Sequence, residues 1–441
     1  MKPQQLVVTK NSPMTHGKDS VAMWCCIIFI ILLISCAKPL SDTKRISDHS
    51  AETNEKITLR VALHPYIPDA GRDHYKSLEQ FIKYEFSKQH PSINLILRHI
   101  DQSDNFYNIS LLTKWLSTEN SDGYDIVEPD TILLGELVAT GVLQPWPRAF
   151  GQSDWYPVAA RAVLVNNSVY AIPHILAGHF LMTRDLLVAS ASNVTSLSAA
   201  LRRTPPLRRP LVGNLLGSWN MPALYLDAWM DSNPRGNLSD ALNAPLDTKA
   251  INGLRELSEL CEFEHSNPCW DGSFHGHEKS RLPAEIFARG EANAYFGYSE
   301  QLHFVVSVAQ DDPTIKISSL TIGDSSRPVF YVDAFVLRAN TNTRVLKAAN
   351  FFVNFMNSPH IQEHIMLSLD TEKPAKPRYL IPATMSAFEG LRVKRDRHYS
   401  AIRQDIEKAV PFPNIGVLSR RAAMRDQITA YLEHKPKTTP R

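Results

Sequence analysis

Several things are scarce in this 441-residue chain, and each scarcity narrows what the chain does. A large excess of charge of either sign is missing: 47 Lys and Arg stand against 45 Asp and Glu, for a formal net charge of +2. That balance removes the electrostatic case for nucleic acid or an anionic membrane surface. Internal repeats and long low-complexity runs are absent, which excludes solenoid and fibrous architectures. Glycines number 18 against 29 prolines, a ratio that favours short elements joined by rigid connections. The apolar run near the N-terminus, 22–34, falls short of the roughly 20 residues that a membrane-spanning helix needs. Cysteine is scarce too, with five in all, and three of them precede residue 37. Hydrophobic residues at 44% and charged residues at 21% are ordinary for a globular protein, and the length suits two lobes with extensions.

What the N-terminus does have is the pattern of an export signal. Lys10 and Lys18 precede the uncharged run 22–34, which has the length of a signal-peptide core. The run ends in Leu33-Ile34-Ser35-Cys36, which resembles the bacterial lipobox. That resemblance implies that residues 1–35 are removed and that Cys36 becomes a lipidated first residue. The alternative is an uncleaved N-terminal anchor, and both readings export the rest of the chain to the periplasm or the cell exterior. Residues 36–56 are polar and without periodicity, as befits a tether. Cys261 and Cys269 then remain as one pair in an oxidising compartment, and a disulfide is expected. A metal site drawing also on His265, His275 and His277 is the competing reading. Its spacing matches no standard zinc pattern, so no metal is assigned.

Along the exported part, 57–68 alternates like a strand, 75–91 has helical spacing ending at a proline, and 93–100 is a second strand. This β-α-β order marks a parallel sheet. A short strand at Tyr124–Glu128 leads into a helix beginning near Asp130, which stands at the N-cap position. Residues 202–210 (RRTPPLRRP) read as a surface loop, 286–300 as a helix, a stop at Gly290 and a strand, and 330–340 as another strand. The order resembles an extracellular solute-binding protein of the two-lobed type II α/β fold, with a ligand cleft between lobes. Tyr170-Ala-Ile-Pro173 matches the family's crossing strand. Lobe 1 is thus expected over 57–173 and 328–441, and lobe 2 over 174–327.

Five segments go further: ALHPYIPDAGR (62–72), YDIVEPDTILL (124–134), AIPHILAGHFLMTR (171–184), AYFGYSE (294–300) with FYVDAF (330–335), and RYLIPA (378–383). Together, in this order, they resemble the thiaminase I (thiamine pyridinylase) family. Strand alternation puts Tyr298 with Glu300 on one face, and Tyr331 with Asp333 on another. Two aromatic-plus-carboxylate pairs suit a flat, nitrogen-rich ring, with the phenols stacking and the carboxylates accepting from an amino group or balancing a cation. The resemblance implies that Asp130, Glu300 and Asp333 line a pocket for the aminopyrimidine and thiazolium of thiamine. It implies aromatic walls from Tyr298 and Tyr331, with Tyr66 or His64 from the first loop. Family members cleave thiamine through a cysteine thiolate that adds to the pyrimidine, with a glutamate as base. Glu300 matches that base, but the nucleophile position is Ala177, and a methyl group attacks nothing. His179, two residues on, shares the Ala177 face as a lining residue.

Binding of thiamine or a related cationic heterocycle, without covalent catalysis and without a cofactor, is therefore the leading expectation. An active pyridinylase with a non-standard nucleophile and Glu300 as base is the alternative. A third reading is a solute-binding protein for an unrelated ligand such as a sugar or peptide. The chain is expected to act as a monomer, and a transporter partner is left open.

Overall fold

The computed structural model describes residues 56–433 apart from 102–104, 119–120, 148–151, 205–207, 218, 277–278 and 372–374. The expected signal peptide, Cys36 and all but the last residue of the tether lie outside the described residues, as does His277.

The chain opens as its periodicity requires. Strand Ile57–Leu63 pairs in parallel with strand Ile93–His99, and helix Lys76–Gln89 joins them. Leu78, Ile82 and Phe86, spaced four apart, form that helix's buried stripe. These strands belong to a mixed sheet whose order is Ile381–Pro382, Ala171–Ala177, Val329–Arg338, Ile126–Val127, Ile57–Leu63, Ile93–His99. Val329–Arg338 runs antiparallel to both of its principal neighbours and is buried over most of its length. A second sheet has the order Lys316–Ser318, His179–Thr183, Ala292–Tyr298, Arg209–Val212. Helices Asn220–Ser232, Thr248–Glu259 and Leu282–Ala288 accompany it, and each sheet with its helices makes one lobe of a two-lobed α/β fold. The 202–210 stretch is not wholly a loop, because Arg209 and Pro210 already belong to strand Arg209–Val212 and Arg209 pairs with Ala292.

The sheets meet at Gly178. Strand Ala171–Ala177 belongs to the first sheet and strand His179–Thr183 to the second. The change of sheet thus falls at Gly178, whereas the sequence places the lobe boundary at 173/174. A Cβ on Gly178 would lie 2.5 Å from Cε1 of Phe330, so the close approach of that ring accounts for the glycine. The carbonyl of Gly178 also accepts the N–H of Ser299 at 3.1 Å, fastening the ends of the two site-bearing segments together.

Helix Val417–Glu433 spans the lobes. It packs on Asn220–Ser232 and Thr248–Glu259 and also on the 3-10 turn Thr131–Leu133. Cys261 and Cys269 form a disulfide with their Cα atoms 6.1 Å apart. The oxidised pair leaves no thiol there for a metal, and His275 instead lies against Gly217, 2.8 Å from where a Cβ would sit.

Candidate ligand-binding site

A cavity of about 800 Å³ opens where the two sheets meet. Its lining takes in each site residue singled out from the sequence: His64, Tyr66, Asp130, Ala177, His179, Tyr298, Glu300, Tyr331 and Asp333.

Each arrives on a different device. Asp130 caps the turn that follows strand Ile126–Val127, its Oδ1 accepting the Ile132 N–H at 3.0 Å. The helix expected there begins as a 3-10 turn, Thr131–Leu133, before Leu134–Ala139 becomes α-helical. Asp130 also forms an isolated bridge with Asp333, which brings the two carboxyls to one wall. Tyr331 and Asp333 come from one strand, two residues apart, with buried Val332 between them. Strand alternation does not carry Glu300, however. The strand ends at Tyr298, and Ser299–Gln301 forms a 3-10 turn, capped by Tyr298, that buries Ser299 and leaves Glu300 facing the cavity. Ala177 and His179 both line the cavity, but they belong to two strands broken by Gly178 and not to one continuous face.

The electrostatics follow from burial. Desolvation pushes the Glu300 carboxyl up to about 7 and Asp130 likewise to about 7. Asp333 is held well above the usual carboxylate range, chiefly by burial and then by the charges of Asp130, Glu128 and Glu300. The hydrogen-bond partners of Asp130 are a backbone amide and the Tyr107 hydroxyl at 3.4 Å; that of Glu300 is the Ser299 hydroxyl at 3.4 Å. These are neutral donors. Nδ1 of His64 lies 3.4 Å from Asp333, and burial pushes this histidine down to about 4, so the contact supplies no cation at neutral pH. Behind it, Glu128 accepts the His64 N–H at 3.1 Å and contacts Nδ1 of His174, both side chains being fully buried.

Aromatic rings make the rest of the wall. Tyr66 stacks on Tyr107 at 5.9 Å between centroids, and Tyr107 leans on Trp219 at 4.5 Å. Tyr298 meets Tyr331 edge to face at 5.6 Å, and Tyr331 stacks on Phe412. The Arg421 guanidinium sits 3.8 Å from the Trp219 ring. Tyr107, Trp219, Phe412 and Asp227 were not found from the sequence. Tyr107 and Phe412 lie in irregular segments where no period points to a face. Asp227 did leave a signal, an acid inside the otherwise apolar helical run LYLDAWM. Its Oδ2 lies 3.0 Å from Nδ1 of His179, and its Oδ1 accepts the Val329 N–H at 2.8 Å.

No family model matches the chain. A curated relative, thiaminase-1 of Paenibacillus thiaminolyticus, is 27% identical over 400 residues, which is 87% of this chain and 88% of that protein. Among solved structures, Clostridium botulinum thiaminase I in complex with thiamin superposes with a TM-score of 0.66 at 21% identity, covering 85% of this chain and all of that one. The GacH receptor of Streptomyces glaucescens, solved unliganded and with acarbose, superposes with a TM-score of 0.62 at 17% identity over 85% of this chain and 94% of that one. The fold is therefore shared by an enzyme and by solute-binding proteins.

Proposed function

We propose that this thiaminase I homologue is an exported lipoprotein that binds thiamine, or a related aminopyrimidine joined to a cationic ring, in the cleft between its lobes. Binding proceeds without the covalent thiol step. One observation carries this reading: Asp130, Asp333 and Glu300 share an aromatic-walled cavity, and the partners of Asp130 and Glu300 are neutral donors. Three carboxyls raised by burial have unmet electrostatic demand, and a desolvated cation lying between tyrosine faces meets it. An uncharged sugar does not, which favours this reading over a general solute receptor. Ala177 in the cavity wall carries no nucleophile, and the sulfurs of Cys261 and Cys269 are tied to each other.

Thermal unfolding of the protein with thiamine, with its pyrimidine half and with its thiazole half tests the assignment. Ligands that bind only the folded state raise the melting point in order of affinity. Thiamine is expected to stabilise most, and both halves measurably. Equal, negligible shifts from all three, beside stabilisation by a maltodextrin, would overturn the reading.

A further inference from the structure

The cleft holds a polar pair to which the binding proposal gives no role, and only its histidine was singled out from the sequence. His179 opens the first strand after Gly178, and its Nδ1 is paired with Asp227 at 3.0 Å. Asp227 projects from helix Asn220–Ser232 and is itself fixed, because its second oxygen takes the Val329 N–H. The imidazole is clamped on its faces as well. It stacks on Tyr298 at 4.3 Å with 28° between planes and on Phe296 at 5.5 Å, and it meets Tyr331 edge-on at 6.1 Å. A buried carboxylate on Nδ1 fixes the tautomer and the ring orientation, leaving Nε2 on the opposite edge as the basic nitrogen.

The position of this pair matters as much as its geometry. His179 is the cross-strand partner of Tyr298 in the second sheet, and Ala177 is the partner of Tyr331 in the first. Asp130 and Asp333 therefore lie on the first-sheet side of the Gly178 seam, with Tyr298 and Glu300 on the second-sheet side. A ligand of two rings that engages both groups of carboxyls places the atom joining its rings at the seam, beside His179.

We propose that His179, oriented by Asp227, is a general base that activates water for direct cleavage of the bound cation at the carbon bridging its two rings. The proposal rests on the binding reading above. In the step, the water oxygen bonds to the bridging methylene carbon as the bond from that carbon to the thiazolium nitrogen breaks. The bonding pair goes to the ring nitrogen, and the thiazole departs neutral. One water proton passes to Nε2 and from there to solvent. The sum is one cation plus one water giving a hydroxymethylpyrimidine, a thiazole and one proton. Nothing is oxidised or reduced, and no enzyme adduct forms. His179 is then a catalytic residue and Asp227 a positioning residue.

The test uses the full chain purified in mild detergent, incubated with thiamine in ¹⁸O-labelled water, with thiamine affinity measured in parallel by calorimetry. The expected result is release of hydroxymethylpyrimidine carrying the solvent label, with no mass gain on the protein. His179→Gln is expected to lower kcat about 100-fold or more, within the usual range for a lost general base, with KM changed less than a few-fold. Asp227→Asn keeps an acceptor for the Val329 N–H and is expected to lower kcat, again with KM largely kept. Thiamine that binds the wild type but stays intact would overturn this inference and leave the binding reading standing. So would cleavage undiminished in His179→Gln, or an unlabelled product. Absence of any binding heat would overturn both readings.

Discussion

Ala177 separates two fates for the same pocket. A side chain there faces Tyr331 across the strand pair and lines the cavity with Glu300, and on the proposed reading it stands where the resembling enzymes hold their nucleophile. Ala177→Cys is expected to form a covalent pyrimidine adduct on incubation with thiamine, read as a protein mass gain that the wild type lacks, with thiazole release above the wild-type level. Glu300→Gln in that background is expected to suppress it. If the Ala177→Cys protein binds thiamine yet gains no mass and releases no thiazole, the pocket does not present its ligand to position 177. Glu300 also has a pH signature. Its carboxyl is raised from 4.5 to about 7 in the folded protein, so the folded state holds this proton more tightly than the unfolded chain does. Its contribution to stability is therefore fully present at acid pH and is lost as pH rises from about 4.5 through about 7. Glu300→Gln is expected to stabilise the ligand-free protein above pH 7, by on the order of 1–3 kcal/mol, with the gain vanishing towards pH 4.5. Melting curves of the two proteins across that range check the sign. A cationic ligand favours the ionised form, so affinity should rise through the same interval with release of protons on binding.

At the scale of elements, the site is held by contacts between segments distant in sequence. Arg378 is fully buried, makes a two-pronged pair with Asp370 at 2.7 and 2.8 Å, and donates to the Pro68 carbonyl at 3.0 Å. It thereby pins the loop that carries His64 and Tyr66. Arg378→Ala leaves the Asp370 charge buried and unpaired, and a loss of about 3–5 kcal/mol is expected in denaturant unfolding. Gly178→Ala drives a methyl into the Phe330 ring and is expected to weaken both stability and ligand affinity; Phe330→Leu in the same chain, which relieves the contact, should restore part of each. Elements of this kind also mark how far the sequence could be read. Periodicity located the opening β-α-β unit, since apolar spacing of two and of about four needs no tertiary knowledge. It missed that AIPHILAGHFLMTR is two strands in two sheets, because one glycine in an apolar run carries no period. It also placed Glu300 by strand alternation, when a 3-10 turn does the work. The Asp227 partner of His179 comes from 48 residues away, a pairing that no local pattern encodes.

For the whole molecule, one cleft between two lobes unites residues from 64 to 425 of the chain, and the C-terminal helix that spans the lobes contributes Arg421 and Arg425 to its rim. The two-lobed fold was legible because element order and the crossing segments survive at low identity. The proposed ligand chemistry rests on the co-occurrence of aromatics and carboxyls, which single motifs do not carry. The proposed lipid anchor is tested by expressing the chain in a bacterium and fractionating it: the protein is expected in the membrane fraction, and Cys36→Ser is expected to abolish lipid modification by mass spectrometry of the N-terminus. The most direct test of the account is a calorimetric titration of the full chain with thiamine at pH 8. A one-to-one isotherm is predicted, with affinity falling about ten-fold or more in Asp333→Asn, whose loss removes one of the three carboxyls facing the cation. An absent isotherm, or one indifferent to Asp333→Asn, Asp130→Asn and Glu300→Gln alike, would contradict it.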